Sequence, residues 1–200
     1  MEAPMIKLNG VSKQYNNHCA LNNIDLEIDS GNMVFLTGHS GAGKSTLLKL
    51  ILATTQPNQG QICVDGKNLC RLPERHIPEH RRKIGTVFQN PRLLPNRTIY
   101  DNVALPLVIA SYSPGEIKRR VRAALDKVGL QNKESLFPIE LSYGEQQRVG
   151  IARAVVNKPK ILLADEPTGN LDPHLSTDIL NLFTAFNAVG VTVIIATHDL

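Results

Sequence analysis

Apolar and polar positions along this chain switch between a period of two and a helical period, and that alternation predicts an α/β fold. Ile6, Leu8 and Val11 open a first strand region. Leu21–Ile28 carries Ile24, Leu26 and Ile28 at every second position, as a half-buried strand should. Met33–Thr37 is a short, nearly all-apolar strand. It runs into a glycine-rich stretch and then into Leu47, Leu48, Leu50, Ile51 and Leu52 at helical spacing. Gln61–Val64 is a strand closed by Asp65-Gly66, a hairpin-turn pair. Ile84–Phe88, Ile161–Ala164 and Val191–Ala196 are further short apolar strands, the kind a parallel sheet buries on both faces.

Residues 98–140 differ, being rich in helix signals and poor in strand signals. Ser113 is a cap, Pro114 takes the first helical position and Glu116 follows three after the cap; Gly129 is the stop. Ser142 and Glu145 repeat the capping-box spacing ahead of Val149, Ile151, Ala152, Val155 and Val156. A last helix is expected from Pro173, capped by Asp172, to about Ala188. The pattern predicts one domain: a mostly parallel-sheet core from residues 1–89 and 157–200, with a helical insertion at 90–156.

Composition sets the bounds. A chain of 200 residues with 42% hydrophobic and 20% charged residues is an ordinary globular domain with a real core. No apolar run approaches the roughly 20 residues that span a bilayer, and the N-terminus lacks the basic and apolar blocks of a signal peptide. Cys19, Cys63 and Cys70 are odd in number and without metal spacing, which fits a reducing compartment. The net charge of +4 suits an anionic ligand or surface without specifying one. With 4% aromatic residues and no Trp, a base-stacking surface is not expected, and no nucleic-acid partner is either. The runs Lys118-Arg119-Arg120 and Arg81-Arg82-Lys83 read as solvated helix faces rather than headgroup contacts.

The chemistry is concentrated in a few strings. Gly38-His39-Ser40-Gly41-Ala42-Gly43-Lys44-Ser45, continued by Thr46, matches the phosphate-cradling P-loop in its strand-to-helix context. Its glycines let backbone N–H groups turn toward phosphate oxygens, Lys44 supplies a point charge, and the Ser45 hydroxyl can ligate Mg²⁺. A P-loop alone leaves kinase, GTPase, ATPase and recombinase open. The strand Ile161–Ala164 delivers Asp165, a carboxylate suited to Mg²⁺, and Glu166, which can take a proton from water attacking the terminal phosphate. A guanine reader would need an Asp after Asn157-Lys158-Pro159, and Lys160 stands there.

Leu141-Ser142-Tyr143-Gly144-Glu145-Gln146-Gln147-Arg148, taken with the P-loop and the Asp-Glu strand, resembles the signature of ABC-type ATPases. The resemblance runs in order along nearly the whole chain. It implies a P-loop core with antiparallel N-terminal strands and an inserted helical subdomain. It also implies ATP and Mg²⁺ as ligands, and a homodimer that sandwiches two ATP. In that pattern Ser142, Tyr143, Gly144 and Glu145 cap the ATP of the opposite subunit. Tyr15 stacks on adenine, Gln89 touches Mg²⁺ and the attacking water, and His198 meets the terminal phosphate and positions Glu166. Asn170, Leu171 and Asp172 form the loop joining the two sites, Asp172 with a second role as helix cap.

Within the family, His39 in the loop, Arg97–Ala104, Phe137–Ser142, Val149–Pro159 and Leu163–Asp172 resemble the bacterial cell-division branch. That implies the integral membrane protein FtsX as partner, alongside other division-site proteins. It implies control of septal peptidoglycan hydrolysis and a place on the cytoplasmic face of the inner membrane at the septum. Residues 90–100, with Leu93-Leu94, are the expected docking segment. Lipoprotein-release or macrolide-export ATPases remain the alternative. Coiled-coil DNA-repair ATPases and tandem translation ATPases do not fit one P-loop in a chain without heptads. Two departures stand out. The signature pattern carries glycine where Tyr143 stands, and a positive φ there would cost Tyr about 1–2 kcal/mol. Family members also continue past the histidine motif, so further elements are expected beyond Leu200.

Overall fold

The computed structural model describes residues 3–198, so Leu200 and the expected elements beyond it lie outside the described residues. The strands are β1 (Ile6–Tyr15), β2 (His18–Ile28), β3 (Met33–Thr37), β4 (Gln59–Val64), β5 (Lys67–Asn68), β6 (Ile84–Phe88), β7 (Ile161–Asp165) and β8 (Thr192–Thr197). The helices are α1 (Lys44–Ile51), α2 (Ile77–Arg82), α3 (Ile99–Ile109), α4 (Pro114–Lys127), α5 (Tyr143–Val155) and α6 (Pro173–Ala188).

Among the described residues the strands form two four-stranded sheets. One is antiparallel, in the order β2-β1-β4-β5. The other is parallel, in the order β3-β8-β7-β6. Burial follows that order. The apolar residues of β7 and all of β8 are buried, as central strands require, while β3 at the edge is half exposed.

Alternate residues of the central strands face two different cores. Leu162, Ala164, Val193 and Ile195 join the core under α3–α6, around the fully buried Phe183. Ile161, Leu163, Ile194 and Ala196 join a second core with β1, β2, β4 and α1. The parallel sheet is thus the middle layer, and its side chains fix both outer layers.

The capping signals act as the sequence suggests. Ser113 accepts from the Glu116 N–H, Ser142 and Glu145 form a reciprocal capping box, and Asp172 accepts from two N–H groups of α6. Gly129, at φ 72°, follows the end of α4. Several boundaries move by one to three residues: β2 starts at His18 rather than Leu21, β4 at Gln59 rather than Gln61, and β7 runs on to Asp165. Val191 lies outside β8, because its N–H donates to the Phe186 carbonyl at 3.3 Å and the strand starts at Thr192.

Candidate active site

The four parallel strands end together, with Thr37 opposite Thr197, Ala196 opposite Asp165 and Asp165 opposite Phe88. The next residues, Gly38, Gln89, Glu166 and His198, therefore emerge side by side at the carboxyl edge of the sheet, where open α/β sheets bind ligands. A cleft of about 710 Å³ opens there, lined by Tyr15, His18, Ala20, residues 39–46, Gln89, Asp165, Glu166 and His198. Gly38 is not in that lining, and its carbonyl accepts from Lys44.

The loop between β3 and α1 curls tightly. Gly43, the N-cap of α1, has φ 91°, and a Cβ there would run into the Ala20 carbonyl of β2. Only glycine permits that approach. Lys44 folds back over the loop and donates to the carbonyls of Gly38 at 2.5 Å and His39 at 3.3 Å. Its ammonium also lies 3.5 Å from one Glu166 oxygen. The other Glu166 oxygen is 2.7 Å from His198 Nδ1 and accepts from the His198 N–H at 3.3 Å. Glu166 thus spans the loop lysine and the histidine after β8. Its own N–H donates to the Ala196 carbonyl at 2.8 Å, which holds it at φ 49°.

Ser45 Oγ donates to Asp165 Oδ1 at 3.0 Å, joining the first turn of α1 to the end of β7. Two hard oxygen donors side by side at the floor of a phosphate cradle fit Mg²⁺, which takes few protein ligands and fills its octahedron with phosphate and water oxygens. The Gln89 side-chain amide faces the turn after Glu166, with Nε2 3.2 Å from where a Cβ on Gly169 would stand.

The signature and dimer-loop residues are not in this cleft: Ser142–Glu145 and Asn170–Asp172 are absent from its lining. Ser142 is committed within its own capping box, accepting from the Glu145 N–H at 3.3 Å and donating to the Glu145 carboxylate at 3.1 Å. The Lys133 ammonium, then the Ser142 N–H, hold the Glu145 carboxyl below the usual carboxylate range. Tyr143 is the first residue of α5 and is not among the positive-φ residues, so the anticipated backbone strain is absent. Gly144 is the crowded position, where a Cβ would stand 3.0 Å from Leu175 Cδ1.

Three neighbours of the site escape the linear reading: His18 and Ala20 fall in no motif, and Gln147 lies in the signature string without a role of its own. His18 pairs with Tyr15 across the β1–β2 turn, where Asn16 takes φ 49°; the Asn16-Asn17 pair was the available signal. Ala20 enters through its carbonyl beside Gly43. Buried Gln147 donates to the Phe88 and Pro167 carbonyls at 3.1 and 3.0 Å, bracing the exits of β6 and β7.

A profile of the ABC transporter family matches residues 21–169. The chain belongs to the ABC transporter family. The cell division ATP-binding protein FtsE of Escherichia coli K12 is 59% identical over 197 residues, covering 98% of this chain and 89% of that one. FtsE of Mycobacterium tuberculosis is 50% identical, covering 98% and 86%. Among solved structures, the ATP-binding cassette MJ0796, a dimer in a post-hydrolysis state bound to ADP and Pi, superposes with a TM-score of 0.89. It is 38% identical over 98% of this chain and 88% of that chain. CbiO1 of Clostridium perfringens gives 0.91 at 33% identity, over 99% and 80%. As an ABC family member this chain is an ATPase, and the cleft gathers the loop residues 39–46 with Asp165, Glu166 and His198.

Proposed function

We propose that this ATPase works as a pair of subunits around two Mg·ATP and drives the membrane protein FtsX, so controlling septal peptidoglycan hydrolysis during bacterial division. The observation that carries the chemistry is Glu166 held between Lys44 and His198 in a cleft with Ser45 and Asp165 at its floor. The cell-division reading rests on relatives named FtsE that match 98% of the chain. It implies a station at the cytoplasmic face of the inner membrane, at the septum.

In this reading Tyr15 stacks on adenine, and the N–H groups of residues 38–46 and Lys44 receive the phosphates. Ser45, Asp165 and Gln89 hold Mg²⁺, which when bound offsets charge on the outer phosphate oxygens. The Glu166 carboxylate accepts the proton of the attacking water, and His198 keeps that carboxylate aimed. Lys44 must leave the Gly38 and His39 carbonyls as phosphates enter, exchanging neutral acceptors for charged ones. Ser142, Tyr143, Gly144 and Glu145 complete the partner subunit's site, and Asn170–Asp172 runs between the two sites. The core of residues 1–89 and 157–200 carries the nucleotide, and the helical subdomain at 90–156 moves with the signature. Leu94 is 42% exposed in the expected docking segment, and Leu105, Val108 and Ile109 on α3 are exposed as well.

The test is capture in membranes. A Glu166→Gln chain holding ATP, with a photo-crosslinker at Leu94 or Ile109, is expected to trap FtsX. Capture of a lipoprotein-release or macrolide-export permease instead would sink the cell-division reading and leave the ATPase intact.

A further inference from the structure

One face of α5 holds the chain leaving β6 along its whole course. Gln147 binds the Phe88 carbonyl, and Arg153 binds those of Pro91 and Arg92 at 2.5 and 2.9 Å. The Gln147 bond and the Arg153 bond to Pro91 are part-buried, and the Arg153 bond to Arg92 is exposed. Between them, Tyr143 donates its hydroxyl to the carbonyl of Gln89 at 2.5 Å. The same oxygen accepts from Asn170 Nδ2 at 3.2 Å. A single phenol at the start of the signature helix therefore ties the glutamine of the chain's own cleft to the loop after β7. Both bonds are at the exposed end of the helix, where the buried bonds of Gln147 do not reach.

We propose that Tyr143 is a positioning residue for ATP hydrolysis: its hydroxyl fixes the Gln89 backbone, and through it the aim of the Gln89 amide into the phosphate cleft. The inference rests on the role for Gln89 proposed above. Gln89 leaves β6 with its carbonyl toward α5 and its side chain toward Gly169 and the cleft. With the carbonyl tethered, rotation of the peptide that would swing the amide away from the cleft costs a hydrogen bond. Asn170 shares the anchor, so the signature turn, Gln89 and the 166–170 loop shift together rather than separately. A glycine at 143 would offer no such tie.

The experiment is a double-mutant cycle on the purified full chain, with steady-state hydrolysis of Mg·ATP. Tyr143→Phe keeps the ring and removes the hydroxyl. It is expected to lower kcat about 3- to 10-fold, the equivalent of one hydrogen bond lost in the reacting arrangement, with KM for Mg·ATP unmoved. In a Gln89→Ala background the same change is expected to add no further loss, because the hydroxyl then has no amide to aim. Asn170→Ala is expected to reproduce part of the kcat loss with the hydroxyl retained. A kcat that holds or rises in Tyr143→Phe overturns the proposal. So does a loss of equal size in the Gln89→Ala background, which would mark a structural role independent of Gln89. If Gln89→Ala alone leaves kcat intact, the role of Gln89 fails first; if it lowers kcat and Tyr143→Phe does not, only the role of Tyr143 fails.

Discussion

Glu166 occupies the left-handed backbone region at φ 49°, a conformation that costs a residue with a Cβ about 1–2 kcal/mol. The Ala196 carbonyl holds its N–H there, and the reward is a carboxylate that meets Lys44 and His198 at once. That strain can be separated from the carboxylate. Glu166→Gly and Glu166→Ala both remove the charge, but only glycine is at ease at this φ. Glu166→Gly is expected to be the more stable of the two by about 1 kcal/mol, a melting-point gap of about 2–4 °C at this chain length. Calorimetry of the two variants side by side without nucleotide reads it, and equal melting points would mean the backbone relaxes instead. Tyr15 offers a second residue-level test. It is 40% exposed at the lip of the cleft, so its ring is available to a base. Stacking is worth about 1–3 kcal/mol. Tyr15→Ala should then weaken ATP by about 5- to 150-fold and leave inorganic triphosphate unaffected, whereas Tyr15→Phe should bind ATP normally. Titration with both ligands decides it.

Elements were legible where local chemistry announces them. Ser113, Ser142 and Asp172 are caps in the structure because their oxygens reach N–H groups two or three residues on, a contact set by sequence spacing alone. The linear cleft motifs were legible for the same reason. α2 was not, since its one buried residue is His80 and no apolar period marks it. The bond between Tyr143 and Gln89 was not legible either, because it joins positions 54 residues apart and no pattern encodes such a pair. His80 itself makes α2 testable. Its Nε2 lies 2.8 Å from the carbonyl of Ile51, the last residue of α1. Burial is the largest influence on its ring and pushes the imidazole pKa below its ordinary value, with Lys67, Arg81 and Lys83 acting the same way against the Ile51 hydrogen bond. The folded protein holds the ring neutral to lower pH than the unfolded chain, which takes up a proton near pH 6.5. This contribution to stability is therefore fully present above that pH. It declines as pH falls below it, and levels off under the folded pKa. Urea unfolding between pH 7.5 and 5.5 should show a smaller pH slope for His80→Gln than for the parent, and identical slopes would exclude His80 as the source.

The whole molecule presents a cleft built from one side. The β1–β2 hairpin, the β3–α1 loop, α1 and the ends of β6, β7 and β8 supply its lining, and the signature residues 142–145 contribute nothing to it. Those residues begin α5, a 13-residue helix whose N-terminal dipole suits an anion. In the proposed pair, that helix end of one copy faces the phosphate cradle of the other. Glu166→Gln, which keeps the shape of the side chain and removes the base, is expected to dimerise when Mg·ATP is added and to stay monomeric without it. Sedimentation would read a mass doubling from 22.0 kDa. Ser142 then separates the two uses of that helix end. Asp caps a helix about as well as Ser, so Ser142→Asp should keep α5, with a melting point somewhat below the parent because the hydroxyl's bond to the Glu145 carboxylate is replaced by a second carboxylate beside it. Its negative charge facing a terminal phosphate should nonetheless abolish the ATP-driven dimer in the Glu166→Gln background. If the doubly substituted chain still dimerises with ATP, the signature end of α5 does not face the partner's phosphates, and the sandwich must be closed by another surface.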